Sequence, residues 1–593
     1  MRVSAIGVSP GLASGRAILL DRRETAVFRV PIPEGDLAIE IARLTEAREV
    51  ARGQILALKD RVAAVVGETF AGVFGAHLLI LDDPLLISGT EEIIRTERVN
   101  AEWALKLVAE KLLEAFQRIG DDYLRERGGD LEDVHNRLQG LLAGERHRHE
   151  LSELTEDSVV VARSLSPSDA ALLDHERVVA FCTDVGGRTS HIAILASALQ
   201  IPAVVGTHDL SARVATGDLL LVDGNRGLVL VRPSETELAS YRQACIEFAQ
   251  HERELQEESN LPATTLDGQD VTLMANIEFP EELDVALRHG AKGIGLYRSE
   301  FLFLSRSPAL PTEEDHYAVY TDLVRRVAPE ETIIRTLDLG GDKYFHQVLA
   351  RNESNPVMGL RAIRFCLRRP EIFRPQLRGL LRASAEGNLK IMFPLVSGVG
   401  ELRQARQVLT ECRLELEAEG HRVASDLKVG IMVEVPSAAL TADHLAREAD
   451  FFSIGTNDLL QYCLALDRGN ESLAGLYQPF HPALLRLLDG VVRAARRAGI
   501  EVSLCGELGA DPGALPVLLG LGLRRLSMAP ASIPEIRSAV RHIEAARAER
   551  MVADLLEMAT AEEIEARVRA EFPPPGASPR PYYPGLPEAI EAP

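Results

Sequence analysis

The chain has 593 residues, enough for roughly three or four domains, and its 46% hydrophobic and 26% charged content is ordinary for a globular protein. A net charge of −23 argues against nucleic acid or an anionic membrane as partner and suits either a basic protein partner or simple solubility. Six cysteines without CxxC spacing point away from a disulfide framework or zinc site; with no signal-peptide pattern and no apolar run of membrane-spanning length, no membrane insertion and a cytoplasmic location are expected.

Val3 to Leu20 reads as short strands broken by Pro10-Gly11 and Gly15. From Pro33 to Gly144 amphipathic helical patterns take over, among them Leu37–Leu58, Glu91–Val99 and Trp103–Ile119. Strand character returns at Val159–Ala162, Val178–Phe181, Ala203–Val205 and Leu219–Val222. The economical reading is an α/β domain interrupted by a helical insertion, its opening strands (residues 1–22) pairing with segments from 146 onward.

Within that second half lies Gly186-Gly187-Arg188-Thr189-Ser190-His191, followed by the apolar run Ile192 to Ala196. Paired glycines let backbone approach an anion, and Thr189 and Ser190 are good helix caps. An imidazole in the first helical turn, beside an arginine and unpaired amides, stays neutral and nucleophilic where phosphate is attracted. The working expectation is a phosphate-carrying histidine; the plainer alternative is a capping residue in an ordinary loop.

Residues 234–260 form one polar helical pattern ending at Leu261-Pro262, a connecting helix between two bodies. Eight strand candidates then alternate with helices: Val271–Ile277, Gly293–Tyr297, Thr332–Leu337, Lys390–Phe393, Lys428–Val435, Phe451–Ile454, Val502–Cys505 and Leu526–Met528. This order predicts a (β/α)8 barrel, whose chemistry sits at the C-terminal ends of its strands. Those ends carry Arg298, Arg335 with Asp338 and Gly340-Gly341-Asp342-Lys343, Glu434, Asn457-Asp458 and Cys505-Gly506-Glu507, with Arg361 and Arg468 in neighbouring segments. Taken singly, each has a plain reading: an arginine in a structural ion pair, Glu434 beside a lysine, Asp458 as a cap, Cys505 as a small buried hydrophobe. Together they suit a small dianion or trianion, forked guanidinium groups gripping oxyanions and hard carboxylate oxygens holding Mg²⁺. The tail after Phe572 is proline-rich.

These segments resemble, in order, enzyme I of the bacterial phosphoenolpyruvate-dependent sugar phosphotransferase system. The likeness runs from Gly7-Val8-Ser9-Pro10-Gly11 to about residue 570, through GGRTSH at 186–191, IPAVVG at 201–206, GIGLYRSEFL at 293–302, RTLDLGGDK at 335–343, GLRAIR at 359–364, VEVPSA at 433–438, FFSIGTNDLLQY at 451–462 and CGE at 505–507. It implies a multidomain α/β protein: a swivelling phosphohistidine α/β domain (1–25 and 145–232) with an inserted helical bundle that docks the carrier HPr (26–144). A linker helix (233–261), a phosphoenolpyruvate-binding (β/α)8 barrel (262–572) and a Pro-rich tail (573–593) follow. It further implies that His191 is phosphorylated with support from Gly187, Arg188, Thr189 and Ser166, and that Arg298, Arg335, Arg361, Asn457 and Arg468 hold phosphoenolpyruvate. Glu434 and Asp458 match the Mg²⁺ ligands and Cys505 the proton donor. The stretch from Phe74 to Pro84, with His77, Asp82 and Asp83, falls at the carrier-docking surface. Ile192 stands where a threonine usually follows the histidine, and Ser197 where an arginine is frequent.

The implied activity is transfer of phosphoryl from phosphoenolpyruvate to His191 and on to HPr, with release of pyruvate, in a homodimer joined through the barrel. It requires a hinge, expected near 228–262 with Gly224 to Gly227 contributing. The alternatives are a regulatory paralogue of the same system, a phosphoenolpyruvate synthase or pyruvate phosphate dikinase relative, a metal-dependent lyase using the barrel alone, and a non-catalytic binder of HPr-like proteins. A dikinase needs a nucleotide-grasping domain, for which residues 26–144 are too short and too helical.

Overall fold

The structure is a computed structural model, described here for residues 1–573 except 10, 21–26, 67, 119–121, 145–155, 166–176, 187–195, 197–200, 259–260, 307–309, 340–355, 468–472 and 474–475. His191, Ser166, Gly187, Arg188, Thr189, Arg468, Ile192, Ser197, the 340–343 loop and nearly all of the Pro-rich tail lie outside the described residues. The chain forms two compact units, Met1–Cys245 and Ile246–Pro593, and in sequence the division falls within the helix Glu235–Glu257. Among the described residues no helix is long and apolar enough to cross a membrane.

The first unit holds an eight-stranded sheet of β1 (Arg2–Ser4), β2 (Ile6–Ser9), β3 (Leu12–Leu20), β4 (Ser158–Ala162), β5 (Val178–Thr183), β6 (Ala203–Val205), β7 (Leu219–Asp223) and β8 (Leu228–Val231). Its order, β1-β8-β7-β3-β4-β5-β6-β2, pairs all three opening strands with strands that follow the insertion. Strand alternation divides the core: Val159, Val161, Ala180 and Cys182 face one side, Val160, Ala162 and Phe181 the other, and both faces are covered.

Leu228–Val231 is a buried strand paired with β7 and β1, which corrects the expected start of the hinge. Gly224 and Gly227 close the β7–β8 turn rather than flex: a Cβ at Gly224 would strike the Ser9 carbonyl, and one at Gly227 the Ala5 carbonyl. Close backbone packing, with φ +64° at Gly227, is what demands glycine there.

Among the described residues between β3 and β4 are the α-helices α1 (Leu37–Val66), α2 (Glu68–Leu81), α3 (Pro84–Glu97), α4 (Ala101–Arg118) and α5 (Asp122–Leu142). They enclose their own core around Leu44, Ile55, Phe74, Leu86, Ile94, Leu105 and Leu138.

The second unit is a closed barrel of eight parallel strands: β9 (Thr272–Ile277), β10 (Ile294–Arg298), β11 (Thr332–Arg335), β12 (Leu389–Phe393), β13 (Lys428–Val433), β14 (Phe451–Ile454), β15 (Glu501–Leu504) and β16 (Arg525–Met528). Each lies within two residues of a strand expected from the sequence at its start and at its end. Side chains of alternate residues point inward, where Leu296, Ile333, Met392, Met432, Phe451 and Cys505 form an apolar floor. A larger apolar shell joins the barrel's outer face to its helices. Outside, Arg374, Arg378 and Arg382 on the helix Pro370–Ala383 pair with Glu313, Glu314, Glu411, Glu415 and Glu419 of neighbouring helices.

Candidate active site at the barrel mouth

A strand's period of two fixes the site. Two residues beyond Leu296, Ile333 and Met432 along their strands stand Arg298, Arg335 and Glu434, so charged groups sit directly above the floor. Arg335 still touches that floor, with Nη1 3.8 Å from the Met432 sulfur.

Arg335 Nη1 is 2.8 Å from Asp338 Oδ2 and its Nη2 3.2 Å from Glu300 Oε2. Asp338 accepts from Arg361 Nη2 through its second oxygen at 2.9 Å, and its backbone N–H donates to Glu300 at 2.8 Å. Arg361 caps the start of the helix Ala362–Arg368, donates to the Tyr462 hydroxyl at 3.2 Å and lies 3.6 Å from Asp458 Oδ2. Burial opposes charge on both arginines. The surrounding carboxylates outweigh it, so both pKa values rise above the ordinary arginine value: Glu300, Asp338 and Glu434 act on Arg335, Asp338 and Asp458 on Arg361. These guanidinium groups are permanently cationic.

Glu434 is buried and accepts the Leu395 N–H at 2.6 Å. Leu395, whose amide makes this bond, holds φ +53°, a left-handed conformation uncommon for a non-glycine residue. Burial pushes the Glu434 carboxyl well above the usual range, with repulsion from Asp338 and Asp458 adding to it and Arg335 opposing. A cation placed beside these carboxylates would relieve this excess of negative charge. Mg²⁺ characteristically takes one or two carboxylates and completes its shell with water and phosphate oxygens, and Glu434 with Asp458 fits that donor set. Among the described residues no group of three His, Cys, Asp or Glu side chains forms a protein-only cage.

Asp458 is buried in the first turn of the helix Thr456–Leu464, which packs closely on both neighbouring strand ends. A Cβ at Gly455 would lie 3.0 Å from Glu434 Oε2, and one at Gly506 would be 2.7 Å from the Thr456 backbone nitrogen. Asn457 and Glu507 lock together, Nδ2 donating to Oε1 at 2.9 Å and the Glu507 N–H returning to Oδ1 at 3.0 Å. The Cys505 thiol is buried and donates to the Ile454 carbonyl at 3.6 Å. Burial, with the Glu434 charge adding, pushes its pKa up to about 11, so it stays protonated at neutral pH.

Arg298, Arg335, Arg361, Asn457, Glu434, Asp458 and Cys505 therefore all occur on strand ends or adjoining helix starts of one barrel mouth. Glu278, Glu300, Tyr462 and the Leu395 amide were not singled out from sequence. Glu278 and Glu300 follow strand ends and were legible as such; the Leu395 contribution is backbone and carries no residue signal.

In the first unit the flanks of the 187–195 segment are firmly held. Asp184 accepts from Thr207 Oγ1 at 2.8 Å, from the Ser211 N–H at 3.2 Å and from the Ser211 hydroxyl. Ala196 is buried, and its carbonyl accepts the Ile201 N–H at 2.9 Å. On α2 and its following turn, the three residues expected at a docking surface divide. His77 is 1% exposed, turned inward with Nε2 3.3 Å from Asp130 Oδ1, so its imidazole is not a surface contact. Asp82 binds Arg48 and Arg52, which hold its carboxyl down at about 2, and Asp83 caps α3 through the Leu85 N–H at 2.8 Å.

Residues 252–545 match the family model described as PEP-utilising enzyme, PEP-binding domain; residues 154–227 match its mobile domain and 4–127 its N-terminal domain. Fold and site thus define the class of phosphoenolpyruvate-utilising proteins. The phosphoenolpyruvate-protein phosphotransferase of Geobacillus stearothermophilus is 43% identical over 570 residues, covering 96% of this chain and 98% of its own. That of Bacillus subtilis is 40% identical over 570 residues (96% and 99%), and that of Haemophilus influenzae 40% over 563 (95% and 98%). The chain belongs to the phosphoenolpyruvate-protein phosphotransferase family.

Proposed function

We propose that this chain is an enzyme that moves the phosphoryl group of phosphoenolpyruvate onto His191 and then onto a histidine of an HPr-like carrier, releasing pyruvate, in the first step of phosphotransferase sugar uptake. The observation that carries this reading is the barrel mouth itself. Three arginines face two buried carboxylates and a protonated thiol there, in a chain that matches nearly the full length of relatives bearing that name.

Arg298, Arg335, Arg361, Asn457 and Arg468 bind and orient the substrate's carboxylate and phosphate. Glu434 and Asp458 hold Mg²⁺, which when bound supplies neutralisation of phosphate charge. His191, supported by Gly187, Arg188, Thr189 and Ser166, attacks phosphorus in line with the enol oxygen. Fixed guanidinium groups stabilise such a loose transition state through position and charge. The enolate that departs takes a proton at its methylene carbon from Cys505. Division of labour follows the segments: phosphohistidine domain at 1–25 and 145–232, carrier docking at 26–144, linker at 233–261, barrel at 262–572 and tail at 573–593. Asp82 and Asp83 belong to the carrier-docking segment, where Asp82 holds Arg48 and Arg52 in place and Asp83 fixes the start of α3. A homodimer joined through the barrel and a cytoplasmic site complete the reading.

Incubation with labelled phosphoenolpyruvate, Mg²⁺ and an HPr-like protein is expected to label the chain first and the carrier second. His191→Ala should abolish both labels while calorimetry still detects phosphoenolpyruvate binding. Label that survives the substitution, or ATP-dependent labelling of His191, refutes the proposal.

A further inference from the structure

The carboxylates that hold the arginines of the barrel mouth are of two kinds. Asp338 is only 4% exposed in its side chain, clamped between Arg335 and Arg361 and tied through its backbone to Glu300; it is scaffold. Glu278 is different. It is the first residue after β9, and because Ile277 pairs with Tyr297 it stands beside Arg298, the last residue of β10. Its backbone N–H and that of Phe279 donate to the Glu282 carboxylate at 2.7 and 2.9 Å, which pins the strand end and leaves the Glu278 side chain to meet Arg298. The two side chains are bonded through Oε1 and Nη1, yet they are 43% and 42% exposed. An ion pair this open to water is held weakly, whereas a guanidinium that grips a phosphate or carboxylate with both prongs is held more strongly.

We propose that Glu278 is an exchangeable internal counter-ion of Arg298: it occupies the guanidinium until a multiply charged anion displaces it, and so sets the charge a ligand needs to enter. The inference rests on the barrel mouth being the phosphoenolpyruvate site. Glu278 acts twice, competing for Arg298 and repelling the incoming anion. A ligand of single charge gains little from the exchange, whereas phosphoenolpyruvate brings enough charge to complete it.

The test uses the full-length chain carrying His191→Ala, so that nothing turns over, titrated with phosphoenolpyruvate and Mg²⁺ by calorimetry. Adding Glu278→Gln is expected to tighten binding at least threefold, Glu278→Ala to do the same, and Glu278→Asp to stay near the parent value. In the His191 chain, Glu278→Gln should lower KM for phosphoenolpyruvate by a similar factor, more than it changes kcat. Were Glu278 merely a brace for Arg298, the same substitution would weaken binding or lower kcat; either result, or an unchanged Kd, overturns the proposal. Binding without phosphorylation of the His191 chain refutes the phosphotransfer reading and leaves the Glu278 comparison intact. No phosphoenolpyruvate binding by any form overturns both.

Discussion

Cys505→Ala offers the most exacting test of the mechanism. The thiol lies on the barrel floor, 5% exposed, and donates to the Ile454 carbonyl at 3.6 Å. With its pKa pushed up to about 11, about one thiol in three thousand is ionised at pH 7.5, against about one in ten for an ordinary cysteine. A positioned general acid contributes roughly 10²–10⁴-fold, so Cys505→Ala should slow pyruvate formation by about that factor. Phosphoryl exchange between phosphorylated enzyme and carrier, which needs no carbon protonation, should be little affected. The pH profile reports the environment separately. A donor at about 11 is still about 97% protonated at pH 9.5, whereas one at 8.5 would have lost about tenfold. Pyruvate release is followed by coupled reduction to lactate, and exchange with labelled carrier is measured at each pH as the reference. Equal losses in both half-reactions remove Cys505 from its role. A tenfold fall in the ratio by pH 9.5 refutes the account of its burial.

Two further expectations follow from packing and burial. Gly506→Ala places a methyl against the Thr456 backbone nitrogen, at 2.7 Å, and its hydroxyl; overpacking of this sort costs about 1–3 kcal/mol and moves the helix start that carries Asn457 and Asp458. Its kcat should fall at least tenfold, with a lowered barrel melting temperature, and wild-type kcat would contradict the fit. In the helical insertion, burial and then Lys106 lower the His135 pKa to about 4, so the folded form stays neutral while the unfolded chain takes up a proton below about 6.5. Stability is therefore lost as pH falls through that window, by about 2 kcal/mol between pH 7 and 5. Urea unfolding should show this slope, and His135→Gln should flatten it; an unchanged slope in that variant assigns the acid sensitivity elsewhere.

The barrel was legible because its strands are short apolar runs between amphipathic helices, and the charged residue ending each run stands out against it. Arg298, Arg335 and Glu434 could be picked by that contrast alone. What holds them could not. Asp338 was visible beside Arg335, but its clamp on Arg361 depends on a helix start 23 residues away. The Leu395 amide reaches Glu434 across 39 residues and has no side-chain signature. Leu228–Val231 reads as part of a hinge in sequence because four apolar residues after a glycine-bearing turn look like a linker until their partners β1 and β7 are in view. His77 shows the reverse: the resemblance implies a place on the docking surface, whereas the helix phase turns its imidazole toward Asp130 and Asp133.

The pairing of β1 with β8 bears on the order in which the chain can fold as it is made. Arg2 pairs with Leu230, and the amino terminus donates to the Val231 carbonyl at 2.8 Å. The sheet's first strand therefore waits for a partner more than two hundred residues downstream, an ordering that high sequence separation makes slow. The helices between Leu37 and Leu142 have a core of their own and mostly local contacts. They can complete while the ribosome is still making β4 to β8. Vectorial synthesis thus gives the insertion a head start, and the sheet that surrounds it in sequence closes last.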